Sequence, residues 1–400
     1  MTAIGIIAEY NPFHTGHAHQ LKQLRQRFGS LTPIIVLMSG AFVQRGEPAL
    51  FSKQQRARWA LLGGADLVIE LPTAFSLCSA ENFAAGGARL AAALGVDTLA
   101  FGARTADLQA LQQVAAITLT AAVRENHHKY LKQGLFYGAA LTKAIEDMTP
   151  EIAILLKDPN NLLAIEYLKA IRQYDLPLTP IVSLRQSNHS SRLLQHGIFP
   201  SGSAIRQVVA AQGDLSLLKP FLPAALFTEF LQTITTGAYT DYTRYGDMIL
   251  TIGRCQPAHK LADYCEFSEG LANKWPPALQ QPTWSDALNQ IKSKRYSYSR
   301  LQRMGAYLLL RCTRLDMAAW KKSGPLYAHI LAANGQGRRW LHEQTATIPL
   351  ITKITKAQLS PAAAAMLQLD CRATDMQMLA QYSPAARQGR QDYYQSPVML

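Results

Sequence analysis

The sequence predicts an α/β protein: a doubly wound parallel sheet with a helical insertion, followed by a mostly α-helical C-terminal domain. Three observations predict it. Short apolar runs alternate with helical stretches through the first half of the 400-residue chain. Those runs are apolar throughout rather than alternating, as expected of strands covered on both faces. After about Val208 the strand signals fade and helical spacing takes over.

The elements follow in order. Ile4–Ala8 reads as the first buried strand, and His17, Leu21, Leu24 and Phe28 mark a helix over 16–28 by their spacing. A second strand is expected at Ile34–Met38. The helix over 52–62 opens with Ser52 and Gln55 placed as a capping box. Leu67–Leu71 is the third strand, 80–94 the next helix and Thr98–Phe101 the fourth strand. The interval from Phe101 to Pro180 is helical, with helices over 124–130, 138–148 and 160–172 forming an insertion. Asp158-Pro159 suits a helix start. Pro180–Arg185 is the fifth strand. The division falls near residue 210, giving domains 1–210 and 211–400. Proline-rich breaks stand at Pro220–Pro223 and Pro276–Pro282, and the polar tail Ser383–Leu400 is expected to be loose.

Composition narrows the function. The net charge is +13 and the pI near 9.5, which favours a polyanionic partner, RNA above all. No run of eighteen apolar residues exists, so no membrane span is expected. The five cysteines are scattered, without a CxxC pair, which argues against zinc and against a disulfide framework. A reduced cytoplasm fits, and no metal site is expected. No motif specifies an oligomeric state.

The most informative segment is Glu9-Tyr10-Asn11-Pro12-Phe13-His14-Thr15-Gly16-His17, set between the first strand and the first helix. In a parallel sheet this is the carboxyl edge, where ligands bind. The helix start offers N–H groups and a positive dipole end to a phosphate. His14 and His17 add imidazole donors for charge that develops at an α-phosphorus, and Gly16 lets a nucleotide approach the backbone. A second phosphate clamp is Ser201-Gly202-Ser203 followed by Arg206, with hydroxyls at a helix start and an arginine one turn later. A third segment, Met38 to Ala49, leaves the second strand towards the same cleft, and Ser39, Gly40, Gln44 and Arg45 are expected to contact substrate. It runs on into Lys53, Arg56 and Arg58, a basic helix that either meets RNA or is solvated. Glu70 reads as a structural strand carboxylate. Gly102 ends the fourth strand where a nucleoside would lie against the backbone. Arg295, Tyr296, Arg300 and Arg303 form a basic, tyrosine-interleaved helix start suited to RNA.

The HxGH loop and the later Ser/Arg helix start together resemble the HIGH-motif nucleotidylyltransferase superfamily. The strings GIIAEYNPFHTGH, MSGAFVQRGEPA, ADLVIELP, FGA, PNNLLAIEYLKAI and SGSAIR, with matches continuing through Glu269–Lys274 and Lys294–Arg303, resemble the bacterial tRNA(Met) cytidine acetate ligase family. The resemblance covers most of the chain. It implies a Rossmann-like nucleotidylyltransferase fold. It implies an enzyme that activates acetate with ATP, accompanied by Mg2+, as acetyl-adenylate, and acetylates the exocyclic amine of the wobble cytidine of elongator tRNA(Met). Carried over, the ATP site comprises Ile7, Ala8, Glu9, Tyr10, Asn11, Pro12, Phe13, His14, Thr15, Gly16, His17, Gln20, Gly102, Asn161 and Arg185, joined by Ser203 and Arg206. The family pattern selects Asn161 over Asn160. The chain departs from it at Ala103 and Arg104, where a serine and a glutamate are usual, and at Ala272, where a charged or polar residue is usual. The alternative reading is a small-molecule adenylyltransferase that leaves AMP on its product. A third is a non-enzymatic RNA-binding protein on a degenerate nucleotide fold.

Overall fold

The structure is a computed structural model that describes residues 2–184 and 199–400. Five strands form the parallel body: β1 (Ile4–Ala8), β2 (Ile34–Ser39), β3 (Leu67–Leu71), β4 (Thr98–Ala103) and β5 (Thr179–Leu184). Their spatial order is β3-β2-β1-β4-β5, and every neighbouring pair is parallel. The chain direction across the sheet reverses between β1 and β4. That switch point opens a crevice at the strand carboxyl ends, flanked by the loops after β1 and β4.

The continuous apolar runs have a direct cause. Ile34, Val36 and Met38 of β2 enter one core, with helices Thr15–Phe28 and Lys53–Leu62. Ile35 and Leu37 enter the other, with helix Ala80–Ala93 and the insertion. Both faces are covered, so Ile34 to Met38 are apolar throughout. The insertion consists of helices Leu108–Thr118, Ala121–Lys132, Tyr137–Glu146 and Pro159–Gln173, with a short turn from Pro150.

The C-terminal half is mostly helical, as expected, but it also carries three strands. It returns to the sheet as β6 (Ala328–Ala333), β7 (Leu350–Ile351) and β8 (Val398–Met399). β6 lies antiparallel on β3, and β7 and β8 each run parallel to β6. The sheet is thus mixed but mostly parallel, and β6 covers the edge that β3 would otherwise expose. A separate core around Trp275, Leu271 and Leu301 gathers the C-terminal helices. Pro276 and Pro277, expected to break a helix, lie inside Leu271–Ala278, which ends directly after them. Nor is the tail loose: β8 is hydrogen-bonded to β6, and Asp392 is 3% exposed.

Candidate active site

β1 ends at Ala8, and the chain turns through Glu9–Phe13 into helix Thr15–Phe28. His14 is its N-cap, with Nδ1 accepting from the Gly16 N–H at 3.1 Å. His17 returns the contact, its Nδ1 accepting from the His14 N–H at 3.3 Å. Two imidazoles thus form the capping box that Ser and Glu usually make. Because each Nδ1 accepts, the proton of each neutral ring sits on Nε2. The rings stack at 3.7 Å with 26° between planes, so their N–H edges lie side by side. Tyr10, 1% exposed, packs against Phe13 at 4.9 Å and against His17 at 4.7 Å, fixing the ring pair from behind. Thr15 donates its hydroxyl to Phe221 O at 3.2 Å.

The second helix start meets the first. Ser201 caps helix Gly202–Ala210, its Oγ accepting from Ala204 N at 3.1 Å. Arg206 donates through Nη1 to Asn11 O at 2.7 Å and through Nη2 to Ser203 Oγ at 3.2 Å. A Cβ on Gly202 would stand 2.6 Å from Asn11 O, so only glycine admits this approach. A Cβ on Gly16 would come within 3.3 Å of the Phe199 Cβ. Two helix N-termini, two imidazoles and one guanidinium therefore gather at the switch point, all favouring a polyanion.

The segment after β2 is a rigid hairpin rather than an open loop. Phe42 bridges Pro48, Ala49 N donates to Ala41 O at 2.8 Å, and Gly46 N closes a turn on Val43 O at 3.0 Å. Glu9 Oε1 accepts from Gln44 N at 2.9 Å, tying the hairpin to the β1 loop. Arg45 stands exposed at its tip. On the other side Gly46 lies flat on helix Tyr298–Leu309: a Cβ there would be 2.2 Å from Arg303 N. Glu47 accepts from the Gln302 side-chain amide. Burial pushes the Glu47 carboxyl up, against the pull of Arg206 and Arg45.

Lys53 and Arg56, expected on a solvated or RNA-facing helix, are in the interior at 1% and 0% exposure. Arg56 donates to Glu9 O at 2.7 Å, Ser39 O at 3.0 Å and Phe51 O at 3.1 Å, and also to Gly40 O. It locks the β1 and β2 loops together. Burial lowers Arg56 to about 10. Lys53 Nζ binds both Glu70 oxygens at 2.9 Å and Asp392 Oδ2 at 2.8 Å, and His329 Nδ1 reaches Glu70 Oε2 at 2.7 Å. Burial alone would lift Glu70, but Lys53 and the His329 hydrogen bond hold it down at about 2. Burial, aided by Glu70, raises the adjoining Asp370 to about 7. Gly40 is glycine because a Cβ would stand 2.1 Å from Glu70 Oε1. Only Arg58 of the three cations is on the surface, paired with Glu229 at 2.9 Å. The helical stripe of Lys53, Arg56, Ala57 and Ala60 already carried this signal, since its alanines face the core.

Ile7, Ala8 and Gln20 are partly buried around the crevice, and Pro12 is in a cis bond with Asn11. Gly102 pairs with Ser183 at the end of β4. Just beyond it, Asn161 Oδ1 accepts from Arg104 N at 2.9 Å, bringing the insertion to the same edge. Arg185 lies outside the described residues. Ser39 is fully buried, and its Oγ has no partner among the described residues. The four C-terminal candidates stand apart from the crevice. Arg303 is 8% exposed and makes a bidentate pair with Glu266 at 3.0 and 3.1 Å; Arg295 and Arg300 share Glu269. Tyr296 is 3% exposed and donates to Glu269 O at 3.0 Å. Of these, Arg295 retains the most solvent exposure, 41% of its side chain.

The chain matches the model of the HIGH Nucleotidyl Transferase family over residues 1–392. It is 35% identical to the tRNA(Met) cytidine acetate ligase of Alkaliphilus metalliredigens, over 99% of this chain and 98% of the relative. It is 34% identical to that of Syntrophomonas wolfei, over 100% and 99%. Among solved structures it resembles Thermotoga maritima TmcAL without ligand, with a TM-score of 0.93 and 26% identity over the whole of both chains. It resembles the same protein bound with alpha-thio ATP with a TM-score of 0.91 and 27% identity.

Proposed function

The chain belongs to the HIGH nucleotidyl transferase family, among the tRNA(Met) cytidine acetate ligases, and we propose that it activates acetate with ATP and acetylates the wobble cytidine of elongator tRNA(Met). The observation that carries this reading is the meeting of the His14/His17 pair with the Ser203/Arg206 turn at the switch point. An acetate oxygen attacks the α-phosphorus, the bond to the β-phosphate oxygen breaks, and pyrophosphate leaves. The Nε2–H edges of His14 and His17 and the helix N–H groups take up the charge that develops. Ser203 and Arg206 hold the departing pyrophosphate. The exocyclic amine of the cytidine then attacks the acetyl carbonyl of acetyl-adenylate, AMP leaves, and the amine gives up a proton. No side chain acts as nucleophile, so catalysis is positioning and electrostatics.

Gly102, Asn161 and the loop from Ile7 to Gln20 seat the nucleotide. Among the described residues no group of three or more His, Cys, Asp or Glu suits a metal ion. Mg2+ arriving with ATP would be held by the triphosphate and would neutralise charge on the departing pyrophosphate, beside Ser203 and Arg206. Residues 1–210 carry the chemistry and 211–400 hold tRNA, with Arg45 and Arg295 the exposed cations among the named contacts. No described helix is long and apolar enough to cross a membrane. The substrates assign the reaction to the cytoplasm. The test is incubation with ATP and labelled acetate, with and without tRNA. One AMP and one pyrophosphate per acetyl group entering tRNA is expected. AMP left covalently on a small product, with no label in tRNA, overturns the reading.

A further inference from the structure

A second cavity, of about 440 Å3, lies in the insertion, outside the crevice. It is within the ~300–1,000 Å3 range of pockets that take ligands. Glu81, Arg124, His127, Tyr137, Lys169 and Gln173 line it, from four helices. At its base Lys169, 5% exposed, binds Glu166 at 2.8 Å and Glu81 at 3.3 Å, and lies 3.4 Å from the Tyr137 hydroxyl. Such a buried charge cluster is costly and is not required by the sheet. His127 Nε2 bonds Tyr137 O at 3.3 Å, which leaves Nδ1 as an acceptor, and the two rings meet edge to face at 4.8 Å. Burial lowers His127, so the ring is neutral near pH 7.

Two further observations say what would enter. Helix Ala121–Lys132 places Arg124 at the cavity mouth and exposes His128, Lys129 and Lys132 elsewhere on its surface, and no ion pair is formed by its Arg or Lys side chains among the described residues. Helix Pro159–Gln173 carries Asn161 at the ATP crevice and Lys169 eight residues later, about 12 Å along its axis. The cavity therefore lies about 12 Å along this helix from Asn161, with Arg124 at its rim.

We propose that this cavity receives an unpaired nucleotide of the RNA substrate near the reacting cytidine. This deepens the tRNA reading above and rests on it. The exposed cations of helix Ala121–Lys132 hold the phosphates. His127 and Tyr137 give the base an aromatic wall. Glu81, positioned by Lys169, accepts from an exocyclic amine, and the Gln173 amide both donates and accepts.

The test uses the full chain with two variants at exposed rim positions, Gln173→Trp, which closes the mouth, and Arg124→Glu, which reverses its charge. Acetate-dependent ATP–pyrophosphate exchange is measured without RNA, and kcat and KM are measured for tRNA acetylation. The expected result is unchanged exchange with a KM for tRNA raised roughly tenfold in each variant. A tRNA KM within twofold of wild type in both overturns the proposal. So does a fall in RNA-free exchange, which would mark a small-molecule site instead. Wild-type protein that exchanges pyrophosphate but leaves tRNA unlabelled brings down the tRNA reading itself, and the proposal with it.

Discussion

His14 joins structure and chemistry in one ring. Its Nδ1 caps a helix, while in the proposed mechanism its Nε2–H donates to the triphosphate. The two roles separate by mutation. His14→Ala should lose about 1 kcal/mol of stability with the cap, and pyrophosphate release should fall roughly 10²–10³-fold with the donor. His14→Asn keeps a capping acceptor, so urea unfolding should recover while pyrophosphate release does not. Recovery of both would make His14 a cap alone. Glu70 gives a pH-dependent counterpart. Its folded-state value lies below its ordinary one of 4.5. Its contribution to stability is complete above about pH 4.5 and is lost as pH falls towards about 2. Glu70→Gln should cost about 3–5 kcal/mol near pH 7. The gap from wild type should narrow as denaturation is repeated from about pH 4.5 down to about pH 3. The residues of the HxGH loop were legible in the sequence because few chemistries want two imidazoles and a glycine at a helix start. The burial of Lys53 and Arg56 showed only as an alanine stripe on their helix, and the partner that completes the Lys53 cluster, Asp392, lies far along the chain.

The hairpin after β2 is the element that joins the crevice to the C-terminal helices. It is clamped by Glu9 on one side and by helix Tyr298–Leu309 on the other. Gly46 adopts φ +90°, and a Cβ there meets backbone, which cannot yield as a side chain would. Gly46→Ala should therefore lower stability by about 1–3 kcal/mol, seen as a lower thermal midpoint. It should also raise the KM for ATP, because the hairpin would part from Glu9. An unchanged KM would show that the clamp does not position the site. The parallel strands were legible because each feeds both cores. β6 was missed because Ala328–Ala333 is alanine-rich. It also joins antiparallel, outside the strand–helix rhythm that identified the others.

Across the whole molecule the basic balance should appear in binding rather than in activation. Raising salt should steeply weaken the tRNA KM by counterion release, while acetate-dependent pyrophosphate exchange changes little. Parallel salt sensitivity of both would deny a separate RNA-binding surface. The division expected near residue 210 is crossed by the sheet itself, which takes β6, β7 and β8 from beyond it. A fragment ending at residue 210 should fail to unfold cooperatively in a calorimeter, since β3 loses its neighbour and Lys53 loses Asp392.

That last ion pair sets a timetable for biosynthesis. The ammonium of Lys53 enters the interior early in the chain, and one of its two counter-charges is translated more than three hundred residues later. A nascent polypeptide still tethered to the ribosome before residue 392 has emerged holds that cation only half neutralised. Closure of the interior around Lys53 then awaits the arrival of Asp392.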